Sequence, residues 1–202
     1  MSLYRLFGKR ILDICFVLVT APVSLMMVVC VAALTALDGY NPFYRQKRIG
    51  RNGKEFWLLK IRTMVPNADT MLEAHLQQNP VARQQWAIKQ KLEPDFRVTK
   101  IGAMLRKSSL DELPQLWNVL LGDMSLVGPR PMMVEQQRMY PGRSYFYLRP
   151  GITGNWQVSD RNDCSFPSRA KFDEAYHSAL GLWTDLKLLG RTIVVVLRCT
   201  GR

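Results

Sequence analysis

The sequence predicts one mostly helical domain with a short strand hairpin, seated on a membrane face by an apolar N-terminal helix. Three observations carry this reading. Residues Ile14 to Leu37 hold no charged side chain, which exceeds the ~20 residues a helix needs to cross a bilayer core. Pro22 interrupts that segment, and basic residues lie beyond both of its ends. After it, helix-prone stretches alternate with Pro, Gly and Asn turns, and one Asn-Gly pair signals a hairpin.

The flanks of the apolar segment set its topology. Arg5, Lys9 and Arg10 precede it, and Arg45, Lys47, Arg48 and Arg51 follow. A spanning helix keeps its Lys/Arg excess on the cytoplasmic side, yet here neither side is poor in positive charge. Proline lacks an amide hydrogen and clashes with the preceding turn, so Pro22 kinks or breaks the helix. A helix that enters one leaflet, bends at Pro22 and returns keeps both flanks in the cytoplasm. The segment is too long for a signal-peptide core of ~7–15 residues.

Asp38 to Pro42 form a turn cluster. Phe43–Ile49 and Glu55–Met64 read as strands around Asn52-Gly53, and alternation puts Lys60 and Arg62 on one face. Residues 67–92 are polar and helix-prone, divided by Pro80, with Asn67 as the first cap. Residues 95–107 read as a basic connection. A helix is expected in 108–122, ended by Gly122. A helical piece at 132–139, a turn at Arg149-Pro150-Gly151 and a polar loop over 154–165 come next. Ser168 to Leu197 closes the chain as helix; its apolar end suits the core or a membrane interface.

Lys and Arg number 28 against 16 Asp and Glu, a net charge of +12. Such a chain binds anions. With an apolar anchor, acidic lipid head groups come first and nucleic acid is the weaker alternative. Cys15, Cys30, Cys164 and Cys199 show no metal or redox spacing, and His75 and His177 form no cluster. That argues against a disulfide framework and fits a reducing compartment.

Two short patterns carry chemistry. Asp111 and Glu112 are adjacent acids in an acid-poor chain, with Arg106 and Lys107 upstream. Ser109-Leu110-Asp111-Glu112 also fits a capping box, although Pro114 suits a slightly later helix start. Either way the helix dipole favours an ionised Asp111, able to act as a nucleophile. In Gly128-Pro129-Arg130-Pro131 two prolines stiffen a turn around an arginine, whose fork suits phosphate oxygens. Lys60, Arg62 and Arg161 add further cations. Together they supply what diphosphate chemistry requires.

The stretch from Leu105 to Pro131, LRKSSLDELPQLWNVLLGDMSLVGPRP, closely resembles the bacterial monotopic phosphoglycosyl transferases, also called bacterial sugar transferases. The likeness continues in Phe56–Met64, in RVTKIG at Arg97–Gly102, in Arg149–Asp163 and in the proline-interrupted apolar helix. It covers nearly the whole chain except 67–92. Two departures stand out. Ala21 precedes Pro22 where some members have serine, so Thr20 or Ser24 is left to serve a freed carbonyl. Asn155 and Asp160 stand where relatives often carry an apolar residue and glycine.

The resemblance implies an α/β, mostly helical catalytic domain with a re-entrant membrane helix and interfacial amphipathic helices. The boundaries expected are 1–40 for the membrane helix and its basic flank and 41–202 for the cytoplasmic domain, with 67–92 as an insert. The chain looks like a minimal catalytic form of the family. The implied reaction moves a sugar 1-phosphate, galactose or glucose favoured, from a UDP-sugar to undecaprenyl phosphate. UMP leaves, and an aspartyl phosphosugar lies between the two steps. Asp111 is the expected nucleophile and a ligand of Mg²⁺, and Glu112 the base or acceptor guide. Lys60, Arg106 and Arg130 are expected on phosphate, Arg62 as a further substrate-binding cation, Arg161 on the nucleotide and Asp185 as a further site residue. The implied location is the cytoplasmic face of a bacterial inner membrane. The implied partners are both substrates and the anionic bilayer, without nucleic acid. A homodimer and downstream glycosyltransferases fit the same picture. The competing readings are a non-enzymatic basic membrane protein and a membrane glycosyltransferase that releases UDP.

Overall fold

A computed structural model describes residues 3–92, 94–159 and 165–197. A π-helical turn, Tyr4–Gly8, leads into α1, Lys9–Ala36. The middle of α1 exposes a row of apolar side chains that includes Val19, Val23, Leu25, Met26 and Val29. Its ends are different. Asp13 is 1% exposed and accepts hydrogen bonds from Ser125 Oγ at 3.0 Å and Leu126 N at 2.9 Å. Val17 joins the main core, and Ala32 packs with Ile61 and Leu105. Both ends of the apolar helix therefore rest on the same globular body. Residues 13 and 35 would be ~33 Å apart along a straight helix.

The helix runs on through Pro22 rather than ending there. Thr20 Oγ1 donates to the Phe16 carbonyl at 2.8 Å and Ser24 Oγ to the Ala21 carbonyl at 3.3 Å. Neither serves Leu18, whose carbonyl Pro22 leaves without its helical donor. The basic N-terminal flank is largely structural. Arg5 donates to the carbonyls of His177, Ser178 and Leu180. Arg10 donates to those of Val119 and Leu120. These carbonyls lie at helix ends, where the regular intrahelical bonding runs out; that of Val119 also accepts from Gly122 N.

The hairpin forms as expected, with β1 at Phe43–Ile49 and β2 at Glu55–Ile61. Asn52 and Gly53 take positive φ in the turn. The insert folds as α2, Ala68–Gln78, and α3, Pro80–Lys89. Asn67 stands at the first cap position but is left-handed and makes no side-chain capping bond, whereas Asn79 caps α3 through Ala82 N. The basic connection holds a helix that the charge run concealed: α4, Lys100–Ser108, capped by Thr99. Gly102 makes it fit, because a Cβ there would lie 2.0 Å from the Thr63 carbonyl oxygen.

After α4 comes a single 3-10 turn, Leu110–Glu112, and α5 begins only at Gln115 and ends at Leu121. Ser109 is left-handed with φ 58 and makes no capping bond, so the capping box does not form. Next come β3, Ser125–Val127, the 3-10 turn Glu135–Met139, α6, Ser144–Tyr147, and β4, Gly151–Thr153. Strands β3 and β4 pair in parallel. The last segment divides at Leu180-Gly181 into α7, Arg169–Ala179, and α8, Leu182–Leu197. The main core lies among β2, α5, β3 and α8, around Leu58, Val119, Met124, Val127 and Leu188. The expected mostly helical architecture is present, with two small sheets.

Candidate active site

Asn118 sets the geometry of the site. Its side chain behaves like a neighbouring strand: Nδ2 donates to the Trp57 carbonyl at 2.7 Å, and Oδ1 accepts from Leu59 N at 3.1 Å. This locks α5 against β2 in one register. The 3-10 turn before α5 then meets Lys60, the next residue of β2. Lys60 Nζ lies 2.7 Å from Glu112 Oε1 and 3.9 Å from Asp111 Oδ2. The Asp-Glu pair and the strand lysine are thus brought together by a buried asparagine that the sequence reading passed over.

Arg130 reaches the same carboxylate, with both terminal nitrogens 3.5 Å from Glu112 Oε1. Its turn is held by backbone. Gly151 N donates to the Pro129 carbonyl at 2.8 Å, and Gly128 N to the Thr153 carbonyl at 2.8 Å. Gly128 is required, because a Cβ would sit 2.3 Å from the Arg149 carbonyl oxygen. The guanidinium also lies over the Trp156 ring, 5.9 Å from its centroid.

Arg106 comes from α4, and its Nε donates to Thr63 Oγ1 at 2.9 Å. Burial lowers its pKa, while the Asp111 charge pulls the other way. Asp111 is 6% exposed. Burial raises its pKa above the usual carboxylate range, Lys60 opposes that, Glu112 adds to it and Arg106 opposes it again. The dipole argument made from the sequence therefore needs correcting. Asp111 lies in the 3-10 turn just before α5, beside a helix start as expected, but desolvation outweighs what the helix end offers.

The other expected residues fall elsewhere. Arg62 follows the end of β2 and clasps Asp38 through two bonds of 2.6 and 2.8 Å, with a third to the Asn41 carbonyl. It fastens the end of α1 to the hairpin and does not join the cluster. Strand alternation predicted a shared face with Lys60, but the strand stops at Ile61. Asp185 is 0% exposed and accepts from Tyr4 Oη, Lys9 Nζ and Tyr176 Oη at 2.5, 2.7 and 2.7 Å. None of these partners belongs to the cluster. Arg161 lies outside the described residues.

A cleft opens beside the cluster, lined by Arg48, Leu58, Lys60, Glu112, Gln115 and Arg130. The sequence reading missed Arg48 and Gln115 as site residues. Arg48 was counted only as flank charge, and Gln115 follows Pro114 in what reads as ordinary helix.

Comparison with known proteins shows the family. The sequence profile of the family described as "Bacterial sugar transferase" matches residues 4–199. A UDP-galactose-lipid carrier transferase of Erwinia amylovora is 45% identical over 197 residues, covering 96% of this chain and 41% of that protein. An undecaprenyl-phosphate galactose phosphotransferase of Salmonella typhimurium is 43% identical over 198 residues, again 96% of this chain and 41% of that protein. An exopolysaccharide production protein of Sinorhizobium fredii is 42% identical over 192 residues, 94% of this chain and 85% of that protein. The chain thus spans less than half of two of these relatives and most of the third. The profile match over residues 4–199 takes in the anchor helix, the Asp111–Glu112 cluster and the Arg130 turn, and this chain belongs to the bacterial sugar transferase family.

Proposed function

We propose that this protein transfers a sugar 1-phosphate, galactose or glucose, from a UDP-sugar to undecaprenyl phosphate and releases UMP, as the first membrane step of surface-polysaccharide synthesis. The observation that carries this is a buried carboxylate, Asp111, beside Glu112 and amid Lys60, Arg106 and Arg130, in a domain that also bears a long exposed apolar helix. The printed activities of the Erwinia and Salmonella relatives support the donor and acceptor classes.

In this reading an Asp111 oxygen attacks the phosphorus that bears the sugar. The bond from that phosphorus to the bridging oxygen breaks, and UMP leaves with the electron pair. A phosphate oxygen of undecaprenyl phosphate then attacks the same phosphorus and restores the Asp111 carboxylate. Lys60, Arg106 and Arg130 offset the charge on the phosphate oxygens, which is where stabilisation of phosphoryl transfer is concentrated. Glu112, held by Lys60, orients the acceptor or takes its proton. Arg161 contacts the nucleotide.

The donor set suits Mg²⁺. Among the described residues no cluster of three acidic, His or Cys side chains forms a metal cage, and Mg²⁺ commonly takes one or two carboxylates, waters and substrate phosphates. Asp111 would hold it, and when bound it would neutralise the diphosphate.

UDP-galactose and UDP-glucose assayed with undecaprenyl phosphate and magnesium test the reaction. UMP should appear in step with lipid-linked sugar phosphate. Release of UDP would support the glycosyltransferase reading, and no nucleotide release would support a binding protein.

The location follows from the anchor. A polyprenyl phosphate keeps its tail in lipid and its phosphate at head-group level. The exposed faces of α8, with Leu182, Trp183, Leu186 and Ile193, and of α5, with Trp117 and Leu121, suit an interface beside α1. Both ends of α1 touch the same body, which supports a helix that does not cross the bilayer. A re-entrant helix on the cytoplasmic face satisfies this. Single cysteines at Ser2 and Asn52, in a variant without the native four, should both resist an impermeant thiol reagent in intact cells and react once the cells are opened. Labelling of the Ser2 site alone in intact cells would establish a spanning helix instead.

A further inference from the structure

Two polar side chains on the cleft wall have donors with nothing to bind. Gln115 is 2% exposed, and its amide Nε2 is buried without a hydrogen-bond partner. Arg48 has a buried Nε that is likewise unpartnered. Its terminal nitrogens donate to the Pro131 carbonyl at 3.1 Å and to Gln46 Oε1, both neutral acceptors. No carboxylate pairs with Arg48 among the described residues. Buried donors are almost always satisfied, so two orphans on one cleft call for an explanation.

The charge around the cleft points to what is missing. Its lining carries three cations, Arg48, Lys60 and Arg130, and one anion, Glu112, so three minus one leaves two positive charges. Asp111 and Arg106, which interact electrostatically, add one charge of each sign and leave that sum unchanged. A neutral ligand leaves this excess uncompensated and a carboxylate removes half of it. A phosphoryl group with two negative charges matches it, and its several oxygens suit an arginine fork and an amide N–H.

We infer that Arg48 and Gln115 form an anion subsite on the β1–α5 wall of the cleft, which takes a dianionic phosphoryl group and holds it next to Asp111 and Glu112. This rests on the proposed reaction for its source of phosphate, which is either the donor diphosphate or the lipid phosphate. Burial, followed by the Arg130 charge, lowers the Arg48 pKa to about 10. A bound anion would relieve that penalty. The competing account makes Arg48 a fastener for the Pro131 turn and Gln115 filler, with no ligand at either.

The test uses the full chain in lipid nanodiscs with inorganic pyrophosphate as probe. Pyrophosphate should raise the thermal midpoint of the wild type by mass action. Gln115→Leu should be at least as stable as wild type without the probe, because the orphan amide is gone, yet should need about 10- to 100-fold more pyrophosphate for the same rise, the effect of one charge-assisted hydrogen bond. Arg48→Lys keeps the charge, loses the fork and should shift the response the same way. Lys187→Gln, an exposed change on α8, controls for net charge and should respond like wild type. Kinetics then identify the source. A fall of about tenfold in kcat/KM for the UDP-sugar alone assigns the subsite to the donor diphosphate, and a fall for undecaprenyl phosphate alone assigns it to the acceptor. No stabilisation of the wild type by pyrophosphate, or a wild-type response from both variants, overturns the subsite. An absence of sugar-phosphate transfer would sink the proposed function while leaving the pyrophosphate comparison decisive.

Discussion

Asp111→Asn should lower transfer by more than about a thousandfold, a barrier increase of ~4 kcal/mol, and should abolish covalent labelling by a radiolabelled UDP-sugar. An amide has the shape of the carboxylate but no oxygen able to form a stable bond to phosphorus. The fold should survive the change, and the reason is electrostatic. Burial raises the Asp111 pKa, so the folded state holds its proton more tightly than the unfolded chain, whose value is ~3.9. Between the unfolded and folded values the folded state binds more protons, and stability falls as pH rises through that window. At neutral pH the charged carboxylate therefore weighs against folding, and a neutral asparagine should match or slightly exceed wild-type stability. The same shift bears on activity. Nucleophilic attack requires the ionised form, so donor labelling should fall away on the acid side as Asp111 protonates. Retention of activity within about tenfold of wild type, or a label that persists in the asparagine variant, would remove Asp111 from the covalent role.

The cluster was legible in the sequence because its members lie in short local patterns. Asp111-Glu112 and the Pro-Arg-Pro turn each announce an unusual local chemistry, and Lys60 breaks an apolar strand. The hairpin was legible for the same reason, since Asn52-Gly53 fixes its register within a few residues. What escaped the reading depends on distant partners. Asn118 looks like any helical asparagine until β2 lies across it. The three-residue strands β3 and β4 carry no period of their own, and their pairing, Ser125 with Gly151 and Val127 with Thr153, is settled by the close backbone approach that Gly128 and Gly151 allow. Helix α4 hid inside a basic run: Lys100 and Lys107 are exposed, Arg106 turns toward the site, and Gly102 and Leu105 face in. The capping box failed because Glu112 has stronger partners in Lys60 and Arg130 than the Ser109 amide offers. The N-terminal cations were read as topology signals, yet Arg5 and Arg10 serve helix-end carbonyls.

Lys9 shows the same conflict of roles with a larger expected consequence. It precedes the apolar segment, where a basic residue reads as a membrane flank, while Asp185 reads as a polar site residue. The structure joins them at 2.7 Å, with side-chain exposures of 14% and 0%. Two tyrosine hydroxyls, from Tyr4 and Tyr176, complete the coordination of the carboxylate. Tyr176 in turn receives a bond from Lys9 Nζ at 2.9 Å, so the first turn of α1 is tied to α7 and α8 through one buried charge. Lys9→Met removes the cation and leaves the carboxylate in a dry site with only neutral donors. Breaking a buried pair in this way costs about 3–5 kcal/mol, which should appear as a large drop in thermal midpoint. The double variant Lys9→Met/Asp185→Leu should regain most of that loss, because neither charge is then stranded. Asp185→Asn decides between anchor and substrate contact. If Asp185 fastens the anchor helix, the thermal midpoint falls and KM for the UDP-sugar stays at its wild-type value in the folded protein. An unchanged midpoint with a raised KM would return Asp185 to the substrate site. The first outcome would also place this network among the contacts that hold the exposed apolar helix against the domain bearing the cluster. The network pins residues 4 and 9, and four residues later Asp13 bonds the backbone of β3, the strand that leads directly into the Gly128–Pro131 turn. A continuous set of bonded contacts thus runs from the first turn of α1 through β3 to the turn that carries Arg130.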